Sequence, residues 1–204
     1  MPSWDEDSLK LDINLRSIMR LLRQEALARS IPVVNDARVY QRMMMEGLDV
    51  PEAAYVGAFR GETGLEDVEV KIAGRFGVPA SRVSVELAAF EEKLQVLVSS
   101  LDSMIPQGEL PDADQLSAIF DVCAWAHSDW VRIHPFANGN GRTALLWANS
   151  IAMRYGLPPF IRLRPRPSLG YGEAGTKAMQ GDWKATAVVF RRLFNSFLDT
   201  KPAP

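Results

Sequence analysis

The stretch from His134 to Arg142 combines side chains that could carry out a proton transfer beside a bound anion. It reads His134-Pro135-Phe136-Ala137-Asn138-Gly139-Asn140-Gly141-Arg142. An unperturbed imidazole is a good proton acceptor near neutral pH, which makes His134 a candidate general base for a hydroxyl. Pro135 disfavours helical backbone at the residue before it, so a helix that carries His134 should end there.

The glycines of this stretch predict a phosphate cradle. Gly139 and Gly141 allow a ligand to approach the main chain closely, and their amides, followed by a helix N-terminus, form a nest of positive potential. Arg142 adds a planar fork for phosphate oxygens, while Asn138 and Asn140 offer neutral donors and acceptors. A base beside such a cradle indicates transfer of a phosphate-containing group onto a hydroxyl.

Histidines and glycine turns also have simpler interpretations that involve no site. A histidine on an apolar helix stripe is more often a satisfied core residue, and we interpret His127 in that way. An isolated Gly-Asn-Gly is usually only a turn. The joint order of His, Pro, Phe, Gly, Asn, Gly and Arg between two helices is what favours a site here.

The elements around this stretch are predicted to be mainly helical. Apolar residues recur at helical spacing in most of the chain. The helices are expected over residues 8–28, 35–46, 85–101, 112–134, 142–155 and 171–197, the last interrupted at Gly181-Asp182. Asn35 is the expected N-cap of the second helix, and Gly47 should end it. Val68 to Ile72 alternates apolar and charged residues, with Gly74 in turn position, which predicts a β-hairpin.

Composition narrows the class of protein. The 204 residues are 47% hydrophobic and 24% charged, as in an ordinary globular protein with a single compact domain. A net charge of −2 argues against nucleic acid as a partner. Cys123 is the only cysteine, which excludes an intrachain disulfide and fits a reducing compartment. The acidic first seven residues do not resemble a secretory signal, and no apolar run is long enough for a membrane, so we expect a cytoplasmic protein.

The central stretch resembles the signature of the Fic (Fido) family, His-x-Phe-x-Asp/Glu-Gly-Asn-Gly-Arg-x-x-Arg. Gly57-Ala58-Phe59-Arg60, the segment from Val68 to Ala80, and Tyr171 with Gly181-Asp182 also resemble the family. The resemblance implies a mainly α fold, a Fic-type helical bundle with a small β-hairpin flap. It divides the chain into an N-terminal helical extension (1–39), a Fic domain (40–198) and a C-terminal tail (199–204).

The resemblance also implies an activity, that of a protein adenylyltransferase. Such a protein transfers AMP from ATP, with Mg²⁺, onto a Ser, Thr or Tyr hydroxyl of a target protein. His134 would be the general base, and the nucleotide phosphates would be held by Gly139, Asn140, Gly141 and Arg142. The flap would dock the target as an added strand, through Val68, Val70, Ile72 and Gly74. An antitoxin-like regulator and a homodimer are further assemblies that the family leaves open.

The chain departs from the family signature at two positions, Asn138 and Leu145. Asn138 stands where a metal-binding Asp or Glu is expected, and it supplies no charge to Mg²⁺. Leu145 replaces the second arginine, so the contact with the terminal phosphate is missing. Glu46, before Gly47, resembles the end of the inhibitory motif, although an ordinary helix end is the simpler interpretation. These departures leave two alternatives open: a degenerate protein that binds a nucleotide or a partner, and transfer of UMP, phosphate or phosphocholine.

Overall fold

The computed structural model describes residues 8–72, 74–168 and 170–199. The acidic N-terminal residues and all of the expected C-terminal tail except Asp199 lie outside these ranges. Within them the fold is mainly helical. The α-helices are α1 (Leu9–Leu27), α2 (Val34–Met45), α3 (Val83–Met104), α4 (Ala113–Ile133), α5 (Asn140–Arg154), α6 (Tyr171–Ala178) and α7 (Lys184–Asp199). Two short strands, β1 (Lys71–Ile72) and β2 (Arg75–Phe76), form an antiparallel pair.

Local capping explains where several helices begin. The Ser8 hydroxyl accepts a hydrogen bond from the Leu11 amide at 3.2 Å and starts α1. Asp112 caps α4 by accepting from the Gln115 amide at 2.8 Å. The prediction of Asn35 as the N-cap of α2 is wrong: the cap is Val33, whose amide donates to the Asp36 carboxylate at 3.1 Å. This reciprocal contact starts the helix before Asn35 is reached.

The predicted hairpin is present but its first strand is shorter than expected. Lys71 pairs with Phe76, and Ile72 with Arg75. The Val68 carbonyl and the Glu69 carboxylate are engaged elsewhere, by the Arg60 side chain at 3.1 Å and the Ala80 amide at 3.2 Å. Because these groups hold the segment to the body of the protein, hydrogen bonding across the hairpin begins only after Glu69, where the Val70 oxygen accepts from the Gly77 amide at 3.1 Å.

Helix α4 is the centre of the fold and packs against α3, α5, α6 and α7. Trp130 of α4 is fully buried and makes edge contacts with Phe90, at 5.3 Å between ring centroids, and with Trp147, at 5.8 Å. Such pairs contribute about 0.5–1.5 kcal/mol each beyond area burial. The packing therefore holds the C-terminal end of α4 rigidly.

Helix α1 closes the other side of α5. Its apolar stripe packs with residues of α2 and α5 in a second buried cluster, formed by Leu11, Leu15, Ile18, Leu22, Ala26, Tyr40, Met44, Met45, Leu146 and Met153. The helical extension predicted for residues 1–39 thus shares a core with the rest of the chain. None of the helices in the described ranges combines the length and apolarity that a bilayer crossing requires.

Candidate active site

His134 lies at the C-terminal end of α4, in a left-handed conformation with φ 53° and ψ 57°. This conformation is typical of the residue that ends a helix, but it costs a residue with a side chain about 1–3 kcal/mol. The His134 amide still bonds to the Trp130 carbonyl at 2.9 Å, and Pro135 prevents continuation. The helix therefore ends at Ile133 with His134 as its C-cap, as the Pro135 break predicts.

The tautomer of His134 follows from its hydrogen bond. Nδ1 lies 3.2 Å from the main-chain oxygen of Val131. Since a carbonyl oxygen can only accept, Nδ1 carries the proton and Nε2 keeps its lone pair. Burial lowers the pKa of His134 to about 4; the positive charge of Arg60 also lowers it, and the bond to Val131 raises it. At neutral pH the imidazole is therefore in its basic form, with Nε2 available as the acceptor.

The loop after His134 is closed by Asn140. Its side-chain oxygen accepts from the Phe136 amide at 2.8 Å, and its nitrogen donates to the Phe136 carbonyl at 2.7 Å. The Phe136 ring is fully buried, 4.8 Å from the Phe59 ring centroid. Because both ends of the Asn140 amide hold the loop, what Asn140 can offer a phosphate is its main-chain N–H.

The predicted anion nest is the N-terminus of α5. Gly139 is the N-cap, with φ 90°, a value that favours glycine. A Cβ on Gly139 would lie 3.1 Å from the Met45 side chain, whereas one on Gly141 would meet no atom within 4 Å. The glycine loop is thus pressed against α2 on one side and open at Gly141, next to the half-buried Arg142. First-turn amides of a helix lack intrahelical partners and bind anions readily.

The predicted metal ligand, Asn138, is a weak one. Its side-chain oxygen already accepts a hydrogen bond from the Gly139 amide at 2.6 Å. Among the described residues, no group of three or more His, Cys, Asp or Glu side chains could hold a metal ion. These residues do not fit a Mg²⁺ site of their own, because a hard cation prefers charged oxygen ligands.

Leu145 is a core residue. It is 2% exposed and belongs to the main hydrophobic cluster. An arginine at this position would have to leave the core to reach a phosphate. The surroundings of residue 145 are therefore those of an apolar core side chain and not those of a phosphate-binding arginine.

The residues of the flap (residues 68–72 and 74–78) differ in how far they are buried. The Val70 side chain is buried, Val68 and Ile72 are half-buried, and Gly74 stands in open space in the turn, with φ 82°. Phe76, which the sequence did not single out, is 64% exposed. Docking of a target strand along the flap stays a prediction for these residues.

Glu46 ends α2 and is exposed. Its main-chain oxygen accepts from the Asn14 side chain at 2.8 Å, which ties the end of α2 to α1. This is the arrangement of an ordinary helix end. His127 lies in the core, as expected: it is 1% exposed, and its Nε2 is 2.7 Å from the Tyr171 hydroxyl.

Sequence reasoning assigned no individual role to two residues that shape the site, Arg60 and Gly77. Arg60 is 1% exposed and bonds to the main-chain oxygen of His134 at 2.8 Å. A Cβ on Gly77 would lie 3.0 Å from that of His134. The Gly-x-x-Arg order at residues 57–60 was a signal for the first, although nothing in the pattern says that the arginine is buried.

Comparison with known proteins places these features in a family. Residues 35–152 match the model of the Fic/DOC family. A stretch of 62 residues is 45% identical to the protein adenylyltransferase Fic of Nematostella vectensis and covers 30% of this chain and 14% of that protein. A stretch of 41 residues is 55% identical to the protein of the same name from Drosophila persimilis, covering 20% and 8%. The matched stretches thus span a small part of these relatives.

Solved structures share the fold. A Fic domain containing signaling protein from Bacteroides thetaiotaomicron superposes with a TM-score of 0.61 at 17% identity, over 93% of this chain and 69% of that one. Fic-1 from C. elegans gives 0.67 at 23% identity, over 98% and 52%. The predicted helical bundle with a small hairpin is confirmed. Since the family model covers more than half of the residues, the chain belongs to the Fic/DOC family.

Proposed function

We propose that the protein transfers AMP from ATP onto a hydroxyl group of a target protein, with His134 as general base. The observation that carries the proposal is the contact between Nδ1 of His134 and the main-chain oxygen of Val131. Nδ1 is held by the Val131 carbonyl, so the lone pair of Nε2 is left to accept a hydroxyl proton. The relatives named protein adenylyltransferase Fic support ATP as donor and a protein as acceptor.

The reaction divides between the two parts of the loop. Nε2 of His134 takes the proton as the target oxygen forms its bond to the α-phosphorus of ATP. The bond from the α-phosphorus to the bridging oxygen breaks, and pyrophosphate leaves. The α5 N-terminal amides and Arg142 would hold the negative charge that spreads over the phosphate oxygens in the transition state. A base in such a position contributes about 10²–10⁴-fold.

In this proposal the protein contributes less to Mg²⁺ binding than the family signature implies. Asn138 is the only signature position that could ligate it, through an oxygen that is neutral and already hydrogen-bonded. When bound, the ion would neutralise phosphate charge. It would be held mainly by the donor phosphates, as Mg²⁺ often is.

Two features favour a second candidate function, nucleotide binding without appreciable turnover. Leu145 is buried, so the terminal phosphate loses an arginine contact. Asn138 gives the metal no charge. Such a protein would bind ATP through the α5 nest and leave its target unmodified.

The position of the label in ATP separates these functions. Purified protein is incubated with a cell lysate and with ATP radioactive at either the α or the γ phosphorus. AMP transfer labels a protein band only from the α position, and phosphate transfer only from the γ position. Labelled UTP tests for UMP. Saturable ATP binding with no labelled band from any donor would overturn the transferase proposal and support the binding protein.

A further inference from the structure

Arg60 is a buried cation whose hydrogen bonds are all made. Its five N–H groups have five acceptors: the main-chain oxygens of Val68, Val78, Ile133 and His134, and the Glu69 carboxylate. Five is the full donor capacity of a guanidinium. A buried arginine is retained only where such partners compensate for its lost hydration. Arg60 therefore holds the surrounding chain segments in fixed positions.

One side of Arg60 closes the end of α4. Nε donates to the His134 oxygen at 2.8 Å, and Nη2 to the Ile133 oxygen at 3.0 Å. The Arg60 amide donates to the Pro135 oxygen at 2.7 Å. The last carbonyls of a helix lack intrahelical partners and carry partial negative charge, so a cation is stabilising there. The backbone on both sides of the imidazole is thus held by one residue.

The other side of Arg60 holds both ends of the flap. Nη1 donates to the Val68 oxygen at 3.1 Å, and Nη2 to the Val78 oxygen at 2.6 Å. Glu69 is 3.4 Å from Nη1 and also accepts from the Ala80 amide at 3.2 Å. Val68 and Val78 are the first and last residues of the flap. Its two ends therefore share one anchor with the candidate base.

Gly77 shows how closely the flap and His134 approach each other. A Cβ at Gly77 would lie 3.0 Å from the His134 Cβ and 3.2 Å from Nη2 of Arg60. Neither neighbour can retreat easily, because Arg60 is buried with all its donors used and His134 is held at the helix end. A side chain at residue 77 would therefore press on both His134 and Arg60, and at least one of them would have to shift by a few tenths of an ångström.

The turn that carries Arg60 is itself fixed to α2. Arg38 donates to the Gly57 oxygen at 2.8 Å and pairs with Glu62. Glu62 in turn accepts from the Phe59 amide at 3.0 Å. Arg60 thus projects from a braced turn, which makes it a rigid support for both segments.

We propose that Arg60 is a positioning residue that fixes the flap and His134 as one unit. This inference rests on the proposed function: a target segment docked on the flap would have its hydroxyl set at a constant position relative to Nε2. Arg60 touches no reacting atom in this account. It acts through the main chain of His134 and through the two ends of the flap.

The test is Arg60→Lys, which keeps the charge but has three donors for five acceptors. Amide hydrogen exchange is measured by NMR at Gly77 and Val78, which bond to the oxygens of Val70 and Arg132. The ¹⁵N spectrum of the imidazoles reports the Nδ1–H tautomer of His134. His127, the other histidine of the chain, is the internal reference. The matched control is Arg154→Lys, since Arg154 is also largely buried but pairs with Asp102, at the far end of α5.

In Arg60→Lys we expect exchange at Gly77 and Val78 to rise at least tenfold, and the His134 signal to lose its single-tautomer pattern. His127 and the Arg154→Lys protein should be unchanged at these positions. Native exchange and a native His134 signal in Arg60→Lys would overturn the proposal. So would an equal loss of protection throughout the chain, because that would make Arg60 a general stability residue.

Gly77→Ala decides the question if Arg60→Lys does not fold. The added methyl group presses on His134 and Arg60 from the flap side, so we expect faster exchange at Val78 together with a shifted His134 signal. Native values for both would overturn the proposal. None of these measurements uses ATP or a target. Their outcome is therefore separate from that of the transferase assay.

Discussion

The Asn140 side chain forms two hydrogen bonds with the main chain of Phe136, one to its amide and one to its carbonyl. This pair closes the loop between the candidate base and the anion nest. Because all the groups are buried, removing the amide leaves a donor and an acceptor without partners. Asn140 thus matters to the site through the shape of the loop as well as through its own N–H.

Asn140→Ala should therefore lower stability. An unsatisfied buried polar group costs about 1–3 kcal/mol, so we expect a loss of about 2–4 kcal/mol and a fall in Tm of roughly 5–15 °C. Thermal unfolding followed by circular dichroism measures it. Asn195→Ala, at an exposed position of α7, is the matched control and should change Tm by less than about 2 °C. Equal Tm values for the two variants would contradict this role of Asn140.

The lowered pKa of His134 predicts how the stability of the fold depends on pH. Burial lowers it to about 4 from an ordinary value of 6.5, and the same cause lowers that of His127 to about 3. Below pH 6.5 the unfolded chain binds protons that the folded chain does not, so stability falls as pH drops from 6.5 through these values. An NMR titration should give a midpoint for His134 near pH 4. A midpoint near 6.5 would show that the imidazole is solvated.

Replacing His134 should reduce the loss of folding stability at acid pH. In His134→Gln the acid loss of stability between pH 6.5 and 4 should be smaller, because one depressed group is gone and His127 remains. Urea unfolding at pH 7.0, 5.5 and 4.5 measures the slope. Parallel curves for the variant and the natural protein would contradict the assignment.

The burial of Leu145 predicts that introducing the family's arginine at this position would destabilise the fold. Leu145→Arg places an unpaired charge in the core, and we expect a loss of about 3–5 kcal/mol. Leu145→Met, which nearly conserves volume, should cost less than about 1.5 kcal/mol. Urea unfolding compares the two. A stable Leu145→Arg protein would mean that the side chain can reach solvent or a phosphate, contrary to the observed packing.

Asn138→Asp should strengthen the metal dependence of nucleotide binding. A carboxylate at residue 138 can accept the hydrogen bond from the Gly139 amide, as the Asn138 side-chain oxygen does. Negative charge near the start of α5 is also favourable, by about 0.3–1 kcal/mol. The variant should therefore fold normally. In thermal unfolding with ATP, added Mg²⁺ should raise Tm more for the variant than for the natural protein. The same Mg²⁺ increment in both would show that Asn138 lies away from the ion.

Local signals in the sequence were sufficient for most of the fold. Periodicity located every α-helix of the described ranges, and Pro135 marked the end of α4. The errors lie where a side chain acts on the backbone of its neighbours. Asp36 moved the start of α2, and the contacts of Val68 and Glu69 shortened the first strand.

The candidate site could be predicted only as far as residue types allow. His134 and the glycine nest were found from their order along the chain. The loop-closing role of Asn140 depends on which side chain turns inward, and sequence spacing does not report that. Sequence reasoning assigned Arg60 no role of its own, because its five acceptors come from three separate segments of the chain, at residues 68–69, 78 and 133–134.

The most direct measurement of the central claim is label transfer from α-labelled ATP to a target protein, compared between the natural protein and His134→Ala. The control is Asn195→Ala, which lies outside the site and should keep full activity. A general base contributes about 10²–10⁴-fold, so we expect His134→Ala to lose at least 99% of the transfer rate while retaining its fold. Transfer by a folded His134→Ala protein at the natural rate would contradict His134 as the base.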